Sequence, residues 1–199
     1  MKDLFYSAGI RTNAGSKILR RHVPGKNAFV VDRLFEEGAI LLGKTNLHEF
    51  AFGVTNINPH YGPVRNPWDL NRVPGGSSGG SAAAVSAGLC LASLGTDTGG
   101  SIRIPSSACG LVGLKPTRGL VSLDGVIPLA SSLDHVGPIG RCVEDVGMLL
   151  NILADGTSAK GKIHYLRNLR DRIKGLRIGF PKPRFFGPMQ KDVREKILQ

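Results

Sequence analysis

The chain has 199 residues, of which 41% are hydrophobic and 21% charged; this ordinary globular usage excludes a disordered or fibrous protein. Its apolar runs are all shorter than the about 18 residues of a membrane span, and the N-terminus lacks a secretory signal pattern. Three cysteines cannot all pair, and none forms a Cys-x-x-Cys motif. We therefore expect a cytoplasmic protein without membrane contact, disulfide scaffold or zinc scaffold.

The net charge of +11 is concentrated in the last fifth of the chain. Residues 160–199 hold 12 Lys and Arg against 3 Asp and Glu, a net +9, whereas residues 1–159 hold 14 against 12, a net +2. A basic surface can bind polyanions, but this segment has no recognition-helix motif and no regular aromatic interleaving. A solvated basic face is the simpler interpretation, and polyanion contact stays open.

The periodicity of apolar residues, with glycines and prolines at the expected ends of elements, predicts helices and strands that alternate along the chain. Helices are predicted at residues 27–38, 46–50, 79–88, 143–156 and 190–199. Strands are predicted at residues 39–43, 89–94 and 176–180. A long polar loop at 53–76 and a tight glycine-rich turn at 95–105 separate these elements, and loops of that length usually carry function. The alternation predicts an α/β sheet with helices on its faces.

The Gly/Ser run at residues 75–81 matches the Gly-x-Ser-x-Gly nucleophile elbow twice, centred on Ser77 and on Ser78. An elbow needs a strand directly before it, but the preceding residues are typical of a loop. The triad partners would have to be Asp134 and His135, whose adjacent side chains tend to diverge. A Ser-His-Asp hydrolase is therefore disfavoured, and a phosphate loop fails because no Gly-Lys-[Ser/Thr] closes the run.

Two further patterns carry little weight. The tripeptide that begins at Asp97 is that of aspartic proteases, which need two such carboxylates sharing a proton. The histidines show no metal-ligand spacing with one another, so we expect no metal site. They are His22, His48, His60, His135 and His164.

Two glycine- and serine-rich segments are more specific together than either is alone. Residues 75–84 read GGSSGGSAAA and residues 95–110 read GTDTGGSIRIPSSACG, and the pair closely resembles the signature of the amidase signature family. Residues 43–53 look like the family's segment before the signature, and residues 113–122 and 130–138 look like those after it. The resemblance covers nearly the whole chain.

The resemblance implies a serine hydrolase with a triad of Ser, cis-peptide Ser and Lys. Its nucleophile is the serine of Thr-Gly-Gly-Ser, here Ser101, and its bridging serine is Ser77, after a cis peptide with Gly76. Lys44 lies in a well-matched segment, but the family's catalytic lysine belongs to a Lys-Asp motif roughly 75 residues before the bridging serine. Lys2 lies 75 positions before Ser77 and matches that motif, so we assign Lys2 as catalytic and Lys44 as structural.

The resemblance also implies which backbone groups bind the oxyanion. The developing charge is expected to meet four backbone N–H groups, those of Thr98, Gly99, Gly100 and Ser101. By the same resemblance, Ser78 is a supporting hydrogen-bonding residue, and Asp97 pairs with Arg103 to hold the turn.

The resemblance implies an amidase-signature fold, in which a mixed β-sheet is covered by helices on both faces. We expect residues 1–199 to form a single partial catalytic domain, with a core at 1–156 and a basic segment at 157–199. Family members are more than twice this length. We therefore expect a chain truncated at both ends, poorly soluble and with little activity by itself.

The implied function is hydrolysis of carbon–nitrogen amide bonds in a small-molecule amide through an acyl-serine intermediate, without a cofactor. Whether the chain forms a homodimer stays open. One alternative is the glutamine-hydrolysing component of a tRNA-dependent amidotransferase, its A chain, which would bring partner subunits and tRNA. Ile104 and His48 stand where that subfamily is expected to have Gln and Asp. The other alternative is an inactive fragment.

Overall fold

The computed structural model describes residues 1–154, 164–167, 169–171, 173–177, 179 and 189–198. The chain divides into two compact units, Met1–Leu169 and Arg170–Gln199. The elements that carry the predicted site all belong to the first unit. Much of the basic segment at 157–199 and part of the predicted strand at 176–180 lie outside the described residues.

The described residues contain five α-helices. In the described residues these are α1 (Phe29–Glu36), α2 (Gly79–Ser86), α3 (Arg103–Ala108), α4 (Val143–Leu153) and, in the second unit, α5 (Lys191–Leu198). A short 3-10 helix, Glu49–Ala51, lies between α1 and α2. Four of these α-helices match predicted ones within a few residues. None of the described helices is long and apolar enough to cross a bilayer.

The described strands form two antiparallel sheets. They are β1 (Ile57–Asn58), β2 (Gly62–Pro63), β3 (Ser93–Asp97), β4 (Val112–Gly113) and β5 (His135–Gly140). A hairpin joins β1 to β2, and β5 is the central strand of the larger sheet, between β3 and β4. Lys2 extends this sheet beyond β3, because its N–H donates to Leu94 O at 3.1 Å and it forms a parallel bridge with Thr45.

The main core lies where α1 and α4 pack against the sheet. Its members are fully or nearly buried apolar side chains, namely Phe5, Ala28, Val30, Val31, Leu34, Leu94, Val121, Val136, Leu150 and Leu153. Because Leu94 and Val136 are sheet residues, this packing fixes the position of β3 and β5. The polar residues at the end of β3 are thereby held on a rigid support.

Three sequence predictions differ from the structure. Residues 39–43 form no strand, and Ile40 and Leu42 are 85% and 72% exposed, so the predicted buried strand is wrong. The strand predicted at 89–94 begins only at Ser93 and continues to Asp97. The predicted turn at 95–105 includes the first three residues of α3. Pro105 is compatible with that helix because it lies in the first turn, where a backbone N–H has no partner within the helix.

Helix α2 approaches its neighbours closely because its first residues have almost no side chains. A Cβ on Gly80 would overlap the backbone carbonyl oxygen of Asn46, and a Cβ on Gly79 would lie 2.8 Å from the Asn56 side chain. Backbone cannot move aside as a flexible side chain can. Glycine is therefore required at residue 80 for steric reasons.

We expect Gly80→Ala to lower the free energy of unfolding by about 1–3 kcal/mol, because the added methyl group overpacks a rigid backbone contact. Gly25→Ala is the matched control, because Gly25 is exposed and a Cβ there meets no atom within 4 Å. Urea denaturation of both variants measures the difference. Equal stability of the two variants would contradict the close approach of α2 to Asn46.

Candidate active site

Lys2 lies at the centre of the site, with a side chain that is 0% exposed. Its Nζ donates to Ser77 Oγ at 2.8 Å and to Thr96 Oγ1 at 2.6 Å. The backbone of Lys2 is fixed between Thr45 and Leu94, and the peptide between Gly76 and Ser77 is cis. The structure therefore brings Lys2 and Ser77 together, as the resemblance implies, and adds Thr96.

The surroundings of Lys2 favour a neutral amine. Burial lowers the pKa of Lys2 to about 7, while the negative charges of Asp97 and Asp134 oppose that shift from a distance. The direct partners of Nζ are two hydroxyl groups, and a hydroxyl stabilises an ammonium ion less than a carboxylate does. Lys2 can therefore act as a base near neutral pH.

Asp97 organises the turn between β3 and α3. Its buried carboxylate accepts hydrogen bonds from the N–H groups of Gly100, at 2.8 Å, and Ile102, at 3.1 Å. Arg103 adds two more, at 3.0 and 2.9 Å. Burial acts to raise the pKa of Asp97, but the bonds from Arg103 and the backbone outweigh it and lower the pKa below its ordinary value. The expected Asp97–Arg103 pair is present.

Ser101 lies on this turn with 7% of its surface exposed. Among the described residues, no hydrogen bond joins its Oγ to Ser77 Oγ. The first link of the expected relay, Lys2 to Ser77, is thus formed, whereas the second, Ser77 to Ser101, is not. Catalytic hydrogen bonds are often long in a substrate-free enzyme and shorten when substrate binds.

The backbone donors of the turn divide into two groups. The N–H of Gly100, one of the expected oxyanion donors, is already bonded to Asp97 Oδ1, so in this state it is not available. The N–H groups of Thr98, Gly99 and Ser101 make no hydrogen bond within the described part of the chain. Gly100 instead shapes the turn, because its φ of +131° lies where side chains are strained.

Ser78 joins the two glycine-rich segments. Its hydroxyl donates to Thr96 O at 3.1 Å and accepts from Thr96 N at 3.3 Å, and its own N–H donates to Ser101 O at 3.2 Å. These three bonds connect the start of α2 to β3 and to the expected nucleophile. The supporting role of Ser78 in the reaction stays a prediction.

Lys44 lies outside the catalytic cluster. Its Nζ contacts Asp3 Oδ1 at 2.9 Å and donates to Phe5 O at 2.6 Å and Thr12 Oγ1 at 2.9 Å. Burial lowers the pKa of Lys44, and the Asp3 carboxylate opposes that shift. Lys44 therefore ties down the segment directly after Lys2, and its partners there include no serine of the site.

Two residues of the site were not assigned from the sequence. Thr96 contacts Lys2 directly, and Asp134 accepts from the Thr98 hydroxyl and from Leu129 N and Ala130 N. Asp134 also lines a cavity of about 510 Å³ that includes none of Lys2, Ser77 and Ser101. No local pattern singles out Thr96, because β3 reads Ser-Leu-Gly-Thr-Asp and is itself mostly polar. The described residues contain no cluster of three acidic, His or Cys side chains able to hold a metal ion.

Comparison with known proteins identifies the family. A family model described as Amidase matches residues 1–199. The chain belongs to the amidase family. The family resemblance predicted from the sequence is therefore confirmed.

Curated relatives of this amidase-family chain include the A chain of glutamyl-tRNA(Gln) amidotransferase from Carboxydothermus hydrogenoformans. The two are 52% identical over 99% of this chain and 42% of the relative. The protein of the same name from Methanosarcina mazei is 49% identical over the same shares. The chain thus spans about 42% of the length of these relatives.

Solved structures confirm the fold. The crystal structure of the protein of that name from Thermotoga maritima matches with a TM-score of 0.92 and 43% identity, over 98% of this chain and 44% of that one. Native peptide amidase from Stenotrophomonas maltophilia matches with a TM-score of 0.75 and 44% identity, over 79% of this chain and 33% of that one. The partial α/β amidase-signature fold expected from the sequence is confirmed.

We expect the Lys2 amine of this amidase-family chain to titrate near pH 7, well below the reference value of about 10.4 for a lysine in water, because burial lowers its pKa. The measurement is a pH titration of ¹³C-labelled lysine Cε signals, with Lys2→Met assigning the signal.

The same shift predicts a pH-dependent stability. The unfolded chain binds more protons than the folded one between pH 7 and 10.5, so the stability of wild type relative to Lys2→Met should rise with pH across that window. A Lys2 midpoint near 10, with a flat stability difference, would contradict a neutral buried amine.

Proposed function

We propose that this chain carries the catalytic machinery of an amidohydrolase that cleaves linear carbon–nitrogen amide bonds. The contact between the fully buried Lys2 amine and Ser77 Oγ carries the proposal, because it places a base of pKa about 7 on the residue expected to relay protons. Family membership supports the reaction class. Since the chain spans 42% of its relatives, activity of the whole protein belongs to the proposal as well.

The proposed proton path starts from neutral Lys2. A neutral amine has two N–H bonds and one lone pair, so it can donate to Thr96 Oγ1 while accepting the proton of Ser77. Ser77 in turn takes the proton of Ser101, which makes Ser101 Oγ nucleophilic. This step needs Ser77 and Ser101 to move into hydrogen-bond contact when substrate binds.

Bond formation and cleavage then follow on the Asp97 turn. Ser101 Oγ attacks the amide carbonyl, and the N–H groups of Thr98, Gly99 and Ser101 stabilise the resulting oxyanion. The relay returns the proton to the leaving amine as the carbon–nitrogen bond breaks. Water, activated by the same relay, hydrolyses the acyl-serine.

A second candidate function rests on the relatives. Several are named as the A chain of a glutamyl-tRNA(Gln) amidotransferase, which supports glutamine as the amide, partner subunits, and a glutamyl-tRNA as the acceptor of the released ammonia. The side chain of Ile104 argues against it, because it packs on Gly75 and Gly100, directly beside the catalytic turn. An apolar group there does not recognise a polar amide side chain. We therefore favour a small-molecule amide.

The compartment is also part of the proposal. All three cysteines are free thiols, and Cys109 is buried with a pKa raised to about 11 by burial. Unpaired cysteines suit a reducing compartment, so the cytoplasm remains the expected location.

A fluorophosphonate should phosphonylate Ser101, whose Oγ displaces fluoride from phosphorus, and mass spectrometry should place the adduct there. Lys2→Met should slow labelling about 100-fold or more, which is what loss of a general base costs. Lys44→Met is the matched control, because Lys44 contacts Asp3, Phe5 and Thr12 and no serine of the site. Rates are compared at equal folded fraction, since breaking a buried ion pair destabilises the chain. An adduct on Ser77 or Ser78, or slow labelling only in Lys44→Met, would contradict the assignment.

Substrate preference separates the two candidate functions. We expect higher kcat/KM for a simple aryl or primary amide than for glutamine, because Ile104 presents an apolar surface to the turn. Ammonia release from both substrates measures the ratio, with Ser101→Ala as the blank. A clear preference for glutamine would favour the amidotransferase interpretation.

A further inference from the structure

The backbone of β3 indicates which way the N–H of Thr98 faces. Successive residues of a strand direct their backbone groups alternately to its two sides. Leu94 O accepts from Lys2 N at 3.1 Å, and the O and N of Thr96 bond to Ser78 Oγ at 3.1 and 3.3 Å. Thr98 follows two residues later, and its N–H has no partner among the described residues. Continued by one step, the alternation directs this free N–H to the side of β3 that carries Lys2 and Ser78.

The sheet ends one residue before this donor, so backbone pairing does not fix it. The last pair between β3 and β5 is Asp97 with His135, and the next residues in register are Thr98 and Asp134. These two are joined through their side chains instead, because the Thr98 hydroxyl donates to Asp134 Oδ1. A side-chain hydrogen bond thus continues the pairing of the two strands beyond their last backbone pair.

Asp134 is itself held in place, with 7% of its surface exposed. Its Oδ2 accepts from Leu129 N at 2.8 Å and from Ala130 N at 2.9 Å, and its own N–H donates to Ala130 O at 2.8 Å. The carboxylate therefore closes the turn at 129–134 with one oxygen and binds Thr98 with the other. A donor attached to such an anchor keeps its direction, which matters because hydrogen bonds weaken steeply as their angle is lost.

The charge of Asp134 by itself would not help the proposed reaction. A negative charge beside the turn opposes a developing oxyanion. It also raises the pKa of Lys2, which favours the protonated amine over the base. Asp134 can therefore assist the reaction through the geometry that it imposes, and not through its charge.

We propose that Asp134 is a positioning residue, which holds the Thr98 hydroxyl so that the Thr98 N–H points at the oxyanion formed when Ser101 attacks the substrate carbonyl. This inference rests on the proposed function, because it assigns a role within the same reaction. Thr98 is partly exposed, so a substrate carbonyl can approach it.

The test measures phosphonylation of Ser101 by a fluorophosphonate in the full 199-residue chain. Thr98→Val removes the hydroxyl but keeps the backbone N–H and the shape of the side chain, and Asp134→Asn removes the charge. We expect both changes to lower the maximal labelling rate about 10-fold or more at an unchanged half-saturating reagent concentration, because a misdirected donor loses part of the about 10²–10³-fold that one oxyanion donor contributes. Thr98→Ser keeps the hydroxyl and should recover most of the lost rate.

The conditions separate this effect from an effect on Lys2. Removing the Asp134 charge lowers the pKa of Lys2, which by itself would speed labelling at neutral pH. Rates are therefore compared at about pH 8.5, above the Lys2 pKa of about 7, where the amine is neutral with or without that charge.

Thr12→Val is the matched control, because Thr12 is likewise a threonine whose hydroxyl is hydrogen-bonded inside the fold. That hydroxyl contacts Phe5 O, Ile10 O and Lys44 Nζ, all of which lie outside the site. Thr12→Val should be labelled at the wild-type rate when rates are compared at equal folded fraction. A role of Asp134 in stability alone would give the wild-type rate in Asp134→Asn as well.

A second readout follows the donor itself. In the phosphonylated wild type, the phosphonyl oxygen should accept from Thr98 N–H. The Thr98 amide proton should then shift downfield and exchange about 10-fold more slowly than in the unlabelled chain. Both changes should be smaller in phosphonylated Asp134→Asn.

Three outcomes would overturn this inference and leave the proposed function standing. One is a labelling rate at Ser101 that is the same in Thr98→Val as in the wild type. Another is equal slowing in Thr98→Ser and Thr98→Val, because the hydroxyl would then not be the cause. The third is faster labelling of Asp134→Asn, which would show that the charge of Asp134 outweighs its contact with Thr98. A wild type without label on Ser101 would instead overturn the proposed function, and this inference with it.

Discussion

The site depends on one buried amine. Lys2 is removed from water, and its nearest partners are the hydroxyls of Ser77 and Thr96. Desolvation then disfavours the ammonium form, which is how a residue that is ordinarily protonated becomes a base. A carboxylate in direct contact would undo this. The nearby carboxylate of Asp97 is compensated by Arg103 and by backbone N–H groups instead.

Asp97 has a second consequence for the arrangement of donors. By binding Gly100 N and Ile102 N it bends the backbone after β3, so that Ser101 emerges at the start of α3. Asp134 holds the same turn from the other side through the Thr98 hydroxyl. The turn is thus supported by two carboxylates that accept hydrogen bonds from its residues. A rigid donor array requires no reorganisation when charge develops.

The sequence led to the contact between Lys2 and Ser77 but misplaced strands, for physical reasons. Motif spacing placed Lys2, Ser77 and Ser101 through a family resemblance, and the structure brings Lys2 onto Ser77 across 75 positions. Periodicity could not distinguish a buried apolar run from an exposed one, so residues 39–43 were predicted as a buried strand. Thr96 and Asp134 were missed because their roles arise from tertiary contacts without a local pattern.

The residues that contact Lys2 are far from it in the sequence, so the proposed site forms late in folding. The contacts of Lys2 span 75 residues to Ser77 and 94 residues to Thr96, so they form only after distant parts of the chain have met. Until that closure the lysine is hydrated and protonated, and the serine hydroxyls have no base. In the proposed mechanism, the serine hydroxyls of a nascent or misfolded chain are therefore unreactive, and they gain a base only when the chain has folded.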